Sequence, residues 1–283
     1  MRLRRVIYDK IWISLTVVAL GVAVVPLAII IGYVVFKGIS SINLRFLTEL
    51  PPGACFNIAA CPTGGVGNAI QGTLILVALS SAIGIPIGVV SGIYISEYGR
   101  NNQYGSVVRF LGDVLAGVPS IVTGILAYTL IVVPLHGYSV AAGSVALGSI
   151  MIPIVSNTSA EALKAVPSSI REAAHGLGVK KWRTTLLVTS HAKRSIATAA
   201  ILAIARITGE TAPLLLSAGV SFVWFTGLGH PVASLTYYIY FYGTSAYPNW
   251  RALAWGAAAL LVLIVMAINI AVRLVTRGQK SYA

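Results

Sequence analysis

Two ionisable side chains stand inside an otherwise apolar run. Arg206 and Glu210 lie in the stretch AIARITGETAPLLLSAG. A charge inside lipid is costly, and such residues face a bundle interior or a wet pathway. Their i, i+4 spacing places them on one helix face. Two readings follow. One is a self-satisfied ion pair that fixes helix packing, since buried pairs are often neutral for stability. The other is an anion-handling site. A guanidinium presents a rigid fork matched to tetrahedral oxyanions. A carboxylate beside it repels a fully deprotonated anion such as sulfate or molybdate, but accepts a hydrogen bond from the proton of hydrogenphosphate. Thr208 and Thr211 add hydroxyls to the same segment. Pro213 lacks an N–H and frees a backbone carbonyl one turn back, at Gly209, where the helix is expected to bend. An intramembrane enzyme using Glu210 as a base would need a second catalytic group, and none stands at helix-compatible spacing.

The second informative segment is basic and polar. Residues 164–194 read KAVPSSIREAAHGLGVKKWRTTLLVTSHAKR. Ser169 followed by Glu172 fits a capping box, with Pro167 just ahead of it. A short helix is expected over 170–177, ended by Gly178 in a left-handed conformation. A second short helix is expected over 181–188. Ala173 and Ala174 give the first one a low-relief face that another protein can approach closely. The competing reading is a solvated interfacial hairpin with no partner.

Cys55 and Cys61 sit in one loop. Their spacing is not a zinc signature, and two further ligands are missing. They are either a disulfide or two free thiols, depending on the compartment. Asp113 stands four residues after Arg109 and reads as an edge ion pair. No P-loop is present, so the chain is not expected to bind ATP itself. No Ser-His-Asp, H-E-x-x-H or paired-carboxylate arrangement occurs either, and no metal ligand set is expected.

These segments need elements to hold them, and composition says which. Of the 283 residues, 57% are hydrophobic and 10% charged, against about 25% charged in a soluble domain. The mean hydropathy is +0.87. Lipid is the natural solvent for such a chain. A bilayer core needs about 20 apolar residues as a helix. Six candidate spans follow, over 11–36, 68–95, 107–133, 140–158, 195–218 and 252–272. The first is too long for a signal-peptide core and has no cleavage site after it. Pro26, Pro86, Pro119, Pro153 and Pro213 fall inside spans, where membrane helices tolerate them. Gly84, Gly88 and Gly92 read as a stripe for close helix packing.

The net charge is +13. In six spans, sixteen of the 20 Lys and Arg residues fall on one side: Arg2, Arg4, Arg5, Lys10, Arg100, Arg109, seven in 164–194, Arg273, Arg277 and Lys280. Only Lys37, Arg45 and Arg251 fall on the other. Positive charge marks the cytoplasmic side, so both termini and the 164–194 loop are expected there. The charge is then a topology device and not a nucleic-acid footprint. Outside lie 37–67 with both cysteines, a turn near His136, and the aromatic stretch 219–250, which reads as an interfacial belt or as a re-entrant helix.

Here the residues carry a resemblance. Glu172-Ala173-Ala174, three residues, then Gly178 resembles the EAA loop of bacterial and archaeal ABC importer permeases, which also lies between the fourth and fifth of six spans. In that family the loop forms coupling helices that dock into a cleft of a cytoplasmic ATPase. The pattern there continues with Ile-x-Leu-Pro, where this chain has Val188, then Ser190 and His191. The run 205–215, through Ala212-Pro213-Leu214-Leu215, closely resembles the signature of one permease subunit type of the phosphate-specific ABC importer. The resemblance implies an all-α, polytopic bundle of six transmembrane helices of the type I importer class, forming one permease domain over 1–283 with its docking loop at 164–194. It implies inorganic phosphate as substrate, with Arg206 and Glu210, helped by Thr208 and Thr211, in its passage. It implies ATPase docking at Glu172, Ala173, Ala174 and Gly178. The implied partners are a homologous permease subunit (PstC), two copies of an ATPase (PstB) that hold ATP and Mg, and an external phosphate-binding protein (PstS), in a prokaryotic cell membrane. Another oxyanion, molybdate or sulfate, is the alternative substrate.

Overall fold

The computed structural model describes residues 2–56, 61, 64–100 and 102–277, with side chains described from 8 to 271. The side chains of Arg2, Arg4, Arg5, Arg273, Arg277 and Lys280, which carry the charge argument at the two termini, lie outside the described residues.

Every regular element among the described residues is helical, with no strand. The helices are α1 (Arg2–Gly38), α2 (Leu44–Thr48), α3 (Gly67–Ile93), α4 (Gln103–Gly117), α5 (Ser120–Ala127), α6 (Val140–Lys164), α7 (Ser168–Gly176), α8 (Lys181–Thr208), α9 (Ala212–Ser217), α10 (Leu235–Gly243) and α11 (Pro248–Arg277). Wide π-helical turns at Tyr94–Tyr98 and Tyr128–Val132 extend α3 and α5. Four stretches are long and apolar enough to cross a bilayer: Tyr8–Ser41, Gly67–Tyr98, Val140–Lys164 and Pro248–Ala271. Counting α4 with α5 and its extension as one bent span gives five. By length and composition, the described residues thus give four or five candidate spans, where six were expected.

Proline explains the difference. Pro26, Pro86 and Pro153 sit inside α1, α3 and α6 without breaking them. Pro119 does break its span: Val118 before it is extended (φ −69°, ψ 128°), and the chain turns by 103° between α4 and α5. The residue before a proline is pushed out of the helical region. Pro213 ends the other. Its ring excludes a helical bond back to Gly209, so α8 stops at Thr208 and α9 restarts two residues past Gly209 and Glu210, with Pro213 in its first turn. The expected second loop helix over 181–188 is not separate either. It is the first part of α8, which runs unbroken from Lys181 because no proline or glycine interrupts it.

The bundle centres on α3 packed along α6. A Cβ on Gly84 would sit 2.9 Å from Met151 Cβ, and one on Gly88 would sit 2.7 Å from Val155 Cβ. Gly92 meets Ser159 in the same way. The glycine stripe lets the two backbones approach, as small residues do in lipid-embedded helices. Leu76, Leu147, Met151, Val155, Ala203, Ile207 and Leu214 complete this core. A second core, around Phe46, Tyr238, Tyr242 and Leu253, closes the end that carries the cysteines. Tyr238 and Tyr242 are fully buried, so the aromatic stretch is not simply a lipid-facing belt. Its helix α10 is tied inward, where Leu235 N–H donates to Thr73 Oγ1 (2.9 Å). By contrast α1 is exposed along nearly its whole length and meets the bundle near Tyr33 and Gly38, against Trp255.

Candidate functional site

Both broken spans meet at one place. A Cβ on Gly124 of α5 would lie 2.7 Å from Pro213 Cα of α9. Beside this contact is a cavity of about 310 Å3. Its polar lining is Ser120, Asn157, Thr158, Arg206 and Glu210, and its apolar wall includes Leu115, Pro119, Pro153 and Ile154. The Arg206 side chain is 62% exposed and that of Glu210 is 17% exposed. Arg206 Nε stands 3.9 Å from Glu210 Oε1. That is beyond hydrogen-bond length, so the pair is open and the guanidinium fork is not consumed by its neighbour. The two groups form an i, i+4 ion pair at its outer limit, without a hydrogen bond between them.

The break in α8 is what presents Glu210. Gly209 N–H donates to Arg206 O (3.1 Å) and Glu210 N–H to Ile207 O (3.2 Å), tightening the helix end. Glu210 O accepts from Thr236 Oγ1 of α10 (3.0 Å), which satisfies a carbonyl the break has freed. On the facing side, α5 begins at the cavity wall with Pro119 and Ser120, and no side chain caps its first turn. Helix N-termini favour negative charge. The cavity therefore combines a guanidinium, a helix start, an amide, the Ser120 hydroxyl and one carboxylate, while the Thr158 hydroxyl donates to Ile154 O (2.8 Å) in its own helix.

The other expected members are placed differently. Thr208 is buried and its hydroxyl donates to Ile204 O (2.7 Å) in its own helix; it does not line the cavity. Thr211 is the residue before α9 and does not line the cavity either. Thr208 stands two residues from Arg206, about 200° around the helix, and this turns its hydroxyl away from the cavity face. Asn157 and Thr158 line the cavity. Asn157 Nδ2 also donates to Asp113 Oδ1 (3.4 Å). No ion pair joins Arg109 and Asp113 among the described residues. Ser120 carried no sequence signal apart from the proline before it.

The loop segment is built more firmly than its sequence suggests. Helix α7 starts two residues earlier than the capping box requires, with Pro167 before it and no side-chain cap. Ser169 thus lies inside the helix, where its hydroxyl cannot cap it. The far end matches expectation. Gly178 has φ +71°, Gly178 N–H donates to His175 O (2.9 Å), and Val179 N–H donates to Ala174 O (3.0 Å). This is the Schellman arrangement that glycine permits without a Cβ clash. Glu172 and Ala173 face outward, whereas Ala174 is 5% exposed and packs into the bundle. Helical spacing puts Ala174 on the inward side with Ile170 and Arg171. The outward apolar surface is Leu177, 83% exposed, with Trp182 and Leu186 of α8.

Arg171 holds α7 in place. Its Nη2 donates to Glu97 Oε1 (2.7 Å) and Leu163 O (2.8 Å), its Nε to Glu97 Oε2 (3.2 Å), and its Nη1 to Val166 O (2.9 Å). The hydrogen bond to Glu97 raises the guanidinium above its usual pKa. At the opposite end, Cys55 and Cys61 are joined in a disulfide. That loop is strapped to the start of α11 by Asn249 Nδ2 donating to Gly53 O (2.9 Å) and Trp250 Nε1 donating to Pro52 O (3.0 Å).

Comparison with known proteins gives this arrangement a context. Residues 84–281 match the family described as Binding-protein-dependent transport system inner membrane component. The chain is 41% identical over 247 residues to the phosphate transport system permease protein PstA of Yersinia pestis, covering 87% of this chain and 82% of that protein. It is 36% identical to the PstA of Haemophilus influenzae, covering 96% and 95%. It is 33% identical to a probable PstA of Methanocaldococcus jannaschii, covering 95% and 94%. Among solved structures, a chain of the inward-facing MetNI methionine ABC transporter superposes with a TM-score of 0.62 at 18% identity, covering 74% of this chain and 95% of that one. At that identity the likeness concerns the fold.

Proposed function

Because the chain belongs to the phosphate transport system permease family of binding-protein-dependent inner membrane components, we propose that it is the membrane-spanning subunit through which an ATP-driven importer moves inorganic phosphate into the cell. The observation that carries this reading is the open Arg206–Glu210 pair in a cavity between two broken helices. Arg206 offers its fork to the phosphate oxygens, and the start of α5 adds backbone dipole. Glu210 accepts from the proton of hydrogenphosphate and disfavours sulfate and molybdate, which carry none. The contact is weak and transient, since passage requires release.

A guanidinium 62% exposed on this chain cannot face lipid. The cavity is therefore closed by a second, homologous permease subunit of the PstC kind. Helix α7 is the contact for a cytoplasmic ATPase of the PstB kind, with two copies per complex. Its surface is Glu172 and Ala173 together with Leu177, while Gly178 sets the chain reversal and Ala174 anchors the helix from within. ATP and Mg belong to that ATPase, and this chain catalyses no reaction itself. A phosphate-binding protein of the PstS kind delivers substrate at the disulfide end. Both termini and α7 lie in the cytoplasm, and residues 1–283 form one permease domain.

The deciding experiment is co-purification of the chain with its neighbouring subunits in proteoliposomes. Phosphate-loaded binding protein should stimulate ATP hydrolysis, and unlabelled phosphate should compete for uptake far better than sulfate or molybdate. Equal competition by all three anions would overturn the substrate assignment.

A further inference from the structure

The contact between Arg171 and Glu97 joins residues 74 apart in sequence. Both side chains are largely enclosed, at 14% and 8% exposed. The guanidinium is bidentate to the carboxylate and also donates to two carbonyls, Leu163 O and Val166 O, at the end of α6. Glu97 sits in the π-helical turn that ends α3, and Ser96 Oγ donates to it as well (3.1 Å). Arg171 thus ties α7 to the ends of α3 and α6 at once. These two helices are themselves locked by the glycine stripe, so they respond as one body. That body reaches the Arg206 cavity through Pro153, Ile154, Asn157 and Thr158 of α6.

The other exit from α7 is different. It leads to α8, the helix of Arg206, through Leu177–Lys180, and Gly178 in that link has φ +71°. Four hydrogen bonds from one planar group resist displacement. The start of α8 meets the same end by apolar packing, with Val188, Ala192 and Ile196 against Leu163 and Val166, and by one long hydrogen bond from Thr185 Oγ1 to Tyr98 Oη (3.4 Å). A push on α7 is therefore carried through the Arg171–Glu97 contact directly into the α3–α6 wall of the cavity. We propose that Glu97 and Arg171 are positioning residues that form the pin converting motion of α7 into a change in the cavity. The proposal rests on the reading of α7 as the ATPase contact.

The test uses the assembled transporter in proteoliposomes and measures phosphate moved per ATP hydrolysed. Co-purification of the ATPase with the unaltered chain is the first measurement; its failure would sink the docking reading and not the pin. Given docking, Arg171→Gln and Glu97→Gln should keep the ATPase bound and hydrolysing, while the transport ratio falls by about threefold to tenfold. Arg171→Lys, which keeps one charged bond, should fall between. A purely structural role would lower the yield of complex and leave the ratio of the assembled fraction unchanged, and that result would overturn the proposal. If the Gln variants fail to assemble, the double variant Glu97→Cys with Arg171→Cys decides. Bridging the two thiols with a bifunctional reagent should restore both assembly and the ratio. Bridged protein with an unrestored ratio would equally overturn it.

Discussion

Arg206 illustrates what a single residue contributes and what it needs. Its guanidinium is held only loosely by Glu210, at 3.9 Å, and is otherwise turned to the cavity. Arg206→Lys keeps the charge but loses the planar fork. A charged hydrogen bond contributes about 1.5–3 kcal/mol, so uptake should drop by at least about tenfold while the complex still assembles. Radiolabelled phosphate uptake in membrane vesicles measures this, and unimpaired uptake would remove Arg206 from the pathway. The same side chain was legible in sequence because a charge in an apolar run is rare. Ser120 was not, because a serine in such a run is ordinary and only the turn at Pro119 brings it to the wall.

At the scale of elements, the glycine stripe and the α7 terminator make the sharpest claims. Gly88→Val would place its side chain against Val155, where even a Cβ comes within 2.7 Å. Overpacking of this kind costs about 1–3 kcal/mol, and α3 would separate from α6. The detergent-solubilised complex should lose several degrees of thermal stability, and an unchanged melting profile would contradict the packing account. Gly178→Val would hold a β-branched residue at φ +71°, which costs about 1–2 kcal/mol. Leu177→Glu leaves that backbone alone but charges the most exposed apolar side chain of the loop, at 83% exposed. Both should reduce ATPase recovered with the permease, the second with no loss of permease stability. The end of α7 was readable from Gly178. Its start was not, because the cap position falls at Pro167, two residues before the expected Ser169, and leaves that serine inside the helix.

For the whole molecule, the distribution of basic residues supports the proposal that α7 and both termini lie in the cytoplasm. Single cysteines near residue 6 and at Ala173, in a chain lacking Cys55 and Cys61, should react with a membrane-impermeant thiol reagent only in inverted vesicles. Labelling from the outside of right-side-out cells would reverse the orientation. The chain also leaves α1 bare over most of its length, so its surroundings are lipid or another subunit.

Composition alone determined a helical membrane protein, and local spacing determined its charged pair and its glycine-ended loop. These follow from short-range rules: apolar length, i, i+4 geometry, and the left-handed freedom of glycine. The chain holds five prolines in its apolar runs, and nothing local distinguished Pro119 and Pro213 from Pro26, Pro86 and Pro153. Whether a proline kinks or breaks a helix depends on which neighbours can satisfy the freed carbonyls, as Thr236 does for Glu210. Only packing of distant segments supplies those neighbours. The same holds for Arg171 and Glu97, whose pairing no spacing rule connects. The tertiary structure thus decided where the cavity opens, which hydroxyls reach it, and how the loop is fastened to the helices that line it.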